Sequence, residues 1–329
     1  MSLKVFKAGL LDTIQDLGRY GYQHLGINPG GAMDRFSASI ANLLAGNCIE
    51  TAVIELHFPA SIFIFQRPAL IALSGADFSA SINGENIPSC HPVLVNRGSI
   101  LQFHKVRTGA RAYLAIHGGL DILPWLGSWS THLKAAAGGY KGRSLQKEDE
   151  INFSSPDTVS SRLGDREFMV LPWKGSDPGE DMVSEEILIL PGNEEMRLTE
   201  ESKENLLLTS FVITNQSDRM GYRLNNIPLH SITREEIISA AVSFGTVQLL
   251  PDGKLIVLMA DHQTTGGYPR IAHVITAHHS KLAQMKTGNK IHFKFTSQEK
   301  AEELLLKQQQ HLLQLQNACT FRLSEFLNK

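Results

Sequence analysis

Cysteine is scarce in this sequence, and its three cysteines, Cys48, Cys90 and Cys319, lie far apart without a CxxC pair. A scattered, odd set argues against a disulfide framework and against a zinc ribbon, and it favours a reducing compartment. Long apolar runs are also missing, because no stretch approaches the ~20 residues of a membrane span and the first residues lack the apolar segment of a signal peptide. We therefore expect a soluble cytoplasmic protein with no membrane association.

Charge of one sign is not in excess. The chain has 31 Lys and Arg against 33 Asp and Glu, which gives a net charge of −2 without a long basic or acidic block. A role on nucleic acid or on a membrane surface therefore has no electrostatic support. With 329 residues, of which 42% are hydrophobic and 19% charged, the chain is long enough for two ordinary globular domains.

Several familiar catalytic signatures are absent. The glycine-rich run 138–144 lacks the GxxxxGK[ST] spacing of a phosphate loop. No Gly-x-Ser-x-Gly elbow occurs. The pair Met285-Lys286 lacks the Ala-Met-Lys-Met context of a biotinylated lysine. We conclude that ATP chemistry needs an unfamiliar site or a partner protein, and that this chain is not a biotin carrier.

The sequence also gives little support to a metal centre. Among 13 histidines, the closest group is His273, His278 and His279. No carboxylate spacing such as HExxH accompanies them. We predict no metal site.

Short apolar runs separated by Gly, Pro and Asn dominate the chain, which favours barrels or sandwiches. The predicted strands are 61–65, 69–73, 93–96, 100–104, 111–116, 186–190, 247–250, 255–260 and 291–295. Asn83-Gly84 is a two-residue hairpin turn between 78–82 and 85–87. The predicted fold class is mainly β, with few helices.

Two helices and a domain division are predicted. Asp34 can cap a helix that presents Phe36, Ile40, Leu43 and Leu44 on one face and ends at Gly46. The tail 299–327 is a second, amphipathic helix, which either packs back on the barrel or faces a partner. Polar stretches at 154–165 and 174–185 suggest a boundary, so the predicted domains are 1–165, 166–298 and the helix 299–329.

The most informative stretch is 261–269, with the sequence DHQTTGGYP. It follows the apolar run 255–260 and precedes the β-branched run 271–276, so it is predicted to be a polar loop between two strands. Loops held by rigid strands are where binding and catalytic groups concentrate. The alternative is a turn whose glycines adopt positive φ and whose Asp261 caps nearby backbone amides.

A second polar cluster, SDRMGYRL at 217–224, follows the strand-like run 211–214. Its two guanidiniums, Arg219 and Arg223, suit a carboxylate or a phosphate. A single Arg is more often a surface ion pair. Two dense polar segments, each placed after an apolar strand, favour one shared cleft over two unrelated turns.

These segments resemble the family formed by the C subunits of 5-oxoprolinases, also described as allophanate hydrolase subunit 2 or as the B subunit of a biotin-dependent carboxyltransferase. The resemblance runs from about residue 10 to residue 293. Its pieces are Gly9-Leu10-Leu11, Gln15 to Arg19, Gly31 to Asp34, Ala41 to Asn47, Glu55, Ser74 to Asp77, His117 to Gly119, Gly127 to Thr131, the 220–224 segment and DHQTTGGYP. Trp129 departs from the family's usual Arg, which could change the anion that the cleft accepts; His278 and Thr287 depart as well.

The resemblance implies two cyclophilin-like β-barrel domains and a lactam or urea-like substrate. As catalytic residues we predict Asp261, Gln263 and Tyr268, with Asp261 as general base or water-orienting group and Tyr268 as hydrogen-bond donor. The predicted substrate-binding residues are Arg219, Met220, Tyr222, Arg223, Thr264, Thr265, Gly266, Gly267, Ser130 and Thr131. The backbone of 264–267 could form a nest that binds an anion.

Three functions follow from the resemblance. The first is membership, as a component inactive alone, of an ATP-dependent 5-oxoprolinase that hydrolyses 5-oxo-L-proline to L-glutamate together with A-like and B-like partner proteins. The second is a carboxyltransferase role of the urea carboxylase or allophanate hydrolase type, which needs a biotin carrier. The third is a non-catalytic function, in which the chain antagonises a kinase inhibitor by binding a B-like partner.

Overall fold

The computed structural model describes residues 2–154, 162–175, 184–233 and 237–328. Contacts divide the chain into two compact units, of which the first comprises Met1–Gly18, Asp34–Glu180 and Gln309–Lys329, and the second Arg19–Met33 and Asp181–Gln308. The domain bounds 1–165, 166–298 and 299–329 stay predictions. Most of the two polar stretches that suggested them lies outside the described residues.

The described residues of the first unit form twelve strands. They are β1 (Ser2–Lys7), β2 (Thr13–Gln15), β3 (Val53–His57), β4 (Ile62–Phe65), β5 (Ala69–Asp77), β6 (Ala80–Ile82), β7 (Glu85–Asn86), β8 (Pro92–Val95), β9 (Ile100–Phe103), β10 (Thr108–Ile116), β11 (Glu150–Asn152) and β12 (Phe168–Val170). Six form a sheet in the order β11-β1-β4-β9-β6-β7, and six form another in the order β12-β8-β5-β10-β3-β2. Residues from both sheets share one apolar core.

The described residues of this unit also include the helix α1 (Arg35–Leu44) and the part of the tail helix from residue 309 onward. The predicted cap of α1 is confirmed, because the Asp34 carboxylate accepts from the Ser37 backbone N–H at 2.9 Å. The strand β5 is buried on both faces. Ile71 faces the main core, whereas Leu70 packs with Leu323 of the tail helix. The tail therefore packs back on a sheet of the first unit.

The second unit contains the other strands and helices. The strands are β13 (Glu186–Pro191), β14 (Phe211–Ile213), β15 (Gly221–Asn225), β16 (Ala240–Ala241), β17 (Thr246–Leu249), β18 (Leu255–Leu258), β19 (Thr265–Gly266), β20 (Arg270–Val274) and β21 (Lys290–Phe295). The helices are α2 (Glu200–Leu208), α3 (His279–Ala283) and the start of α4 (Gln298–Asn328), with 3₁₀ turns at Gln23–Leu25, Glu195–Arg197 and Thr276–His278. Seven strands close into a barrel in the order β13-β20-β17-β18-β15-β14-β21.

The predicted fold class is confirmed, since the described residues are mainly β, include a closed barrel and contain few helices. The Asn83-Gly84 hairpin is also confirmed, with Ile82 paired to Glu85 and both turn residues at positive φ. The strand β15 was not predicted, because its polar residues resembled a loop. No described helix combines the length and the apolar character that a membrane crossing requires.

A buried hydrogen-bond network ties α1 of the first unit to its sheet. The Tyr113 hydroxyl donates to Glu55 at 2.9 Å and accepts from the backbone N–H of Asp34 at 2.8 Å. Burial raises the pKa of Tyr113 well above its usual value, and the Glu55 charge adds to this effect, so the hydroxyl stays a donor. Asp34 and Glu55, both pieces of the family resemblance, thus hold the fold together in this unit.

Replacing Tyr113 by Phe should lower the free energy of unfolding by about 1–3 kcal/mol, because Glu55 loses a donor while it remains buried. Tyr140→Phe is the matched control, since its hydroxyl meets the Glu150 carbonyl at the surface. Urea melts of the three proteins give the comparison. Equal stability of the two variants would show that the Tyr113 hydroxyl contributes nothing to the network.

Candidate functional site

The second unit contains an ion pair between the two polar segments singled out in the sequence. Arg219 donates to the Asp261 carboxylate through Nε at 2.8 Å and through Nη2 at 3.0 Å. The side chains are only 7% and 17% exposed, respectively. A bidentate pair of this kind fixes direction as well as distance. The carboxylate therefore does not cap its own loop, as the simpler prediction had it; it neutralises a guanidinium.

Backbone hydrogen bonds bring these two side chains together. The polar turn before β15 lies beside the end of β18, where Asp261 N–H donates to the Arg219 carbonyl at 2.8 Å. One step earlier, Met259 N–H donates to the Met220 carbonyl at 3.0 Å. The strands β15 and β18 are antiparallel neighbours, so the start of one meets the end of the other. Two segments about forty residues apart in sequence thereby become one polar cluster.

A third segment, the stretch 19–33, belongs to the same unit and reaches the same cluster. The Gly31 carbonyl accepts from Nη2 of Arg219 at 2.7 Å, and the Asp261 carbonyl accepts from Nδ2 of Asn28 at 3.0 Å. Gly30 adopts a φ of +61°, and a Cβ there would lie 3.2 Å from Nη1 of Arg19 and 3.6 Å from Oδ1 of Asp261. The buried guanidinium of Arg19 thus lies in the neighbourhood of the ion pair.

Residues Asn28, Gly30 and Arg19 were not among the predicted site residues. The resemblance included Gly18-Arg19 and Gly31 to Asp34, which was the available signal. The approach of Asn28 to Asp261 joins residues 233 positions apart in sequence, which no local pattern records.

The rest of the 261–269 loop varies in exposure from residue to residue. His262 is buried, and its Nδ1 is 2.6 Å from the Gln263 carbonyl. The Thr264 carbonyl accepts from the Val242 N–H at 3.2 Å. Tyr268 is 44% exposed. The loop is therefore accessible in part.

The glycines of this loop serve close packing rather than positive φ. Thr265–Gly266 forms the short strand β19, paired with β16, so the predicted anion nest does not form in this extended backbone. A Cβ on Gly266 would lie 2.5 Å from Nε2 of Gln248, and a Cβ on Gly267 would lie 3.3 Å from the Ser239 hydroxyl. The loop lies close against its neighbours because these side chains are absent.

The predicted residues of the 219–223 segment separate in space. Arg219 is buried in the polar cluster, and Met220 is partly buried beside it. Tyr222 points into the barrel core, where its hydroxyl meets the Met285 carbonyl at 3.3 Å. Arg223 is exposed, on the opposite face of β15 from Tyr222. Side chains alternate between the two faces of β15, so Arg223 is exposed, whereas Arg219, in the turn before the strand, is buried. The two arginines that the sequence had grouped therefore do not share one site.

Ser130 and Thr131 belong to the first unit and are buried there. Ser130 Oγ donates to the Asp16 carboxylate, which also accepts from Ser128 Oγ at 2.8 Å and from the Trp129 N–H at 2.7 Å. Thr131 Oγ1 donates to the Ile14 carbonyl at 2.9 Å. Both hydroxyls are used in holding this loop. The Trp129 indole donates to the Ile122 carbonyl at 3.1 Å.

The histidines considered for a metal have other partners in the second unit. His278 Nδ1 accepts from the Leu188 N–H at 3.0 Å, and His279 stacks on Phe244 with ring centroids 4.2 Å apart. Burial lowers the pKa of His273, and the Arg270 cation lowers it further. Among the described residues, no group of three His, Cys, Asp or Glu side chains is placed to hold a metal ion.

Asp261→Asn should lower the free energy of unfolding by roughly 1.5–3 kcal/mol, because a charge-assisted hydrogen bond to the buried Arg219 is lost. The second unit offers a matched pair, Glu194 with Arg270, which is also bidentate and 14% and 15% exposed. Glu194→Gln should cost about the same, whereas Asp252→Asn, at an exposed pair with a 3.7 Å separation, should cost almost nothing. Denaturant melts test the order; an Asp261→Asn variant as stable as Asp252→Asn would contradict it.

A family model described as "Carboxyltransferase domain, subdomain A and B" matches residues 25–295. The C subunit of the Escherichia coli (strain K12) 5-oxoprolinase is 35% identical over 315 residues, covering 95% of this chain and 97% of the relative. The C subunit of the Haemophilus influenzae 5-oxoprolinase is 33% identical, covering 92% of this chain and 94% of the relative.

The chain is also similar to part of a much longer protein. The crystal structure of the K. lactis urea amidolyase superposes with a TM-score of 0.85 at 27% identity, over 95% of this chain and 20% of that one. The urea amidolyase of Lachancea kluyveri is 30% identical over 92% of this chain and 17% of its own length. This chain therefore spans about a fifth of these urea amidolyases. Together, these similarities show that the chain belongs to the carboxyltransferase-domain family, subdomains A and B, which includes the C subunits of 5-oxoprolinases.

Proposed function

We propose that this chain is the C subunit of an ATP-dependent 5-oxoprolinase, which hydrolyses 5-oxo-L-proline to L-glutamate. The observation that carries the proposal is the match to such a protein from E. coli over 95% of this chain and 97% of the relative. Similarity across nearly the whole of both chains favours a shared role over a shared domain alone. None of the three cysteines, all of which lie in the described residues, forms a disulfide bond, and this supports a cytoplasmic location.

The chemistry fits the polar cluster of the second unit. Opening a lactam requires an activated amide oxygen and a directed water, because the amide is stabilised by resonance. ATP can supply the activation by phosphorylating that oxygen, and cations then stabilise the developing charge. Arg219 is a rigid, buried cation of this kind. Asp261 keeps it in one orientation through two hydrogen bonds.

The structure changes the role that we assign to Asp261. Both carboxylate oxygens of Asp261 already accept hydrogen bonds from Arg219. We therefore assign it to the orientation of Arg219 and of a water molecule. Gln263, Thr264, Thr265 and Tyr268 line the exposed part of the same loop and are the proposed contacts to substrate.

Partners are part of this proposal. The sequence lacks a phosphate loop, so the A-like and B-like proteins of a 5-oxoprolinase are proposed to complete the ATP site and the catalytic assembly. This chain alone is then inactive.

A second function, carboxyl transfer from carboxybiotin, is favoured by a different observation. The family model is that of a carboxyltransferase domain, and one of the similar solved structures is that of a urea amidolyase. The Lys286 context does not suit biotin attachment, so this function requires a separate biotin carrier.

Reconstitution separates the two functions. We expect ATP-dependent release of L-glutamate from 5-oxo-L-proline when this chain is mixed with its A-like and B-like partners, and no release when this chain is omitted or present alone. A parallel assay with a biotin carboxylase, a carboxylated carrier and urea measures transfer. Transfer without lactam hydrolysis would replace the first function by the second, and full hydrolysis without this chain would remove it from the enzyme.

Variants in the assembled enzyme test the role of the ion pair. Asp261→Asn should reduce turnover by roughly 10²-fold, because misplacing a catalytic group by about 1 Å costs that much. Glu194→Gln, which breaks the matched pair elsewhere in the unit, should keep wild-type turnover per folded molecule. Arg223→Ala, on the outer face of β15, should also leave turnover and KM close to wild type. A loss of turnover with Arg223→Ala but not with Asp261→Asn would move the site to the other face of the strand.

A further inference from the structure

One buried side chain at the polar cluster, Asn28, has a hydrogen-bond partner for only one of its two polar atoms. Asn28 is 7% exposed and donates through Nδ2 to the Asp261 carbonyl at 3.0 Å. The orientation of the amide is fixed, because a carbonyl oxygen can only accept and must therefore face Nδ2. No donor among the described residues reaches Oδ1, although that atom is buried.

A buried acceptor without a donor lowers stability, so an amide is not the side chain that packing alone would favour at this position. What the amide supplies is the donor to Asp261. Arg219 holds the Asp261 carboxylate, while Asn28 holds its main-chain carbonyl. The two bonds together fix both ends of the residue, one from the turn before β15 and one from the segment 19–33.

We infer that Asn28 is a positioning residue of this site, which sets the direction of the Asp261 carboxylate by holding its carbonyl. The inference rests on the proposed function for its effect on turnover. The segment 19–33 then contributes a residue to the site and does not serve only as the chain segment that leads to α1. The same bond also couples the segment to the ion pair energetically.

Asn28→Asp provides the sharpest variant, because it keeps the shape of the side chain and replaces the donor by an acceptor. In the reconstituted enzyme we expect kcat to fall at least about tenfold at neutral pH with little change in KM. Protonation of the introduced carboxyl restores a donor that faces the Asp261 carbonyl. The ratio of variant to wild-type kcat should therefore rise as the pH falls from about 7 towards about 5.

Asn215→Asp is the matched control, since it makes the same chemical change at an exposed turn of the same unit. Asn28→Ala is the second variant, and all rates are expressed per folded molecule from melting curves. A kcat equal to that of Asn215→Asp at every pH would overturn the inference. A structural role alone would lower stability without a change in the ratio with pH.

A double-mutant cycle keeps the inference testable even if the wild-type assembly shows no 5-oxoprolinase turnover. Asn28→Ala, Asp261→Asn and the double variant are compared by their unfolding equilibrium constants. If Asn28 positions Asp261, the factor by which Asp261→Asn changes the unfolding equilibrium constant should be at least about threefold smaller in the Asn28→Ala background than in the wild type. Additive effects would reject the positioning role, independently of whether the proposed function holds.

Discussion

The ion pair between Arg219 and Asp261 is the interaction on which the candidate site depends. Removing two charges from water is expensive, and the cost is recovered only when geometry is good and the remaining polar atoms find partners. Here Nε and Nη2 of Arg219 donate to the Asp261 carboxylate, and Nη2 also donates to the Gly31 carbonyl. Three segments of the second unit therefore have to be in place at once for the pair to be satisfied.

The pair also limits what chemistry the site can do. Because both oxygens of the Asp261 carboxylate accept hydrogen bonds from Arg219, the role proposed for Asp261 is to orient other groups. The proposed reaction places the demanding step, activation of the amide oxygen, on ATP and on partner proteins. A site rich in fixed cations and poor in free bases suits such a division of work.

Several pieces of the family resemblance turn out to hold the fold. The Asp16 carboxylate accepts hydrogen bonds from the hydroxyls of Ser128 and Ser130. The Tyr113 hydroxyl donates to Glu55 and accepts from the backbone N–H of Asp34. These carboxylates are buried in the first unit and surrounded by donors. A motif match alone therefore does not distinguish residues that bind substrate from residues that satisfy a buried charge.

The sequence by itself determined the β class, the Asn83-Gly84 hairpin, the capped helix α1 and the polar loop 261–269, because each follows from local periodicity and turn chemistry. It also marked Arg219 and Asp261 as chemically important. Only the tertiary structure decided that these two residues pair with each other, that Arg223 faces outward while Tyr222 enters the core, and that Asn28 joins the site. Those outcomes depend on strand register and on contacts between distant segments. A sequence pattern records which residues share a face of one strand, but not which strand or segment that face will meet.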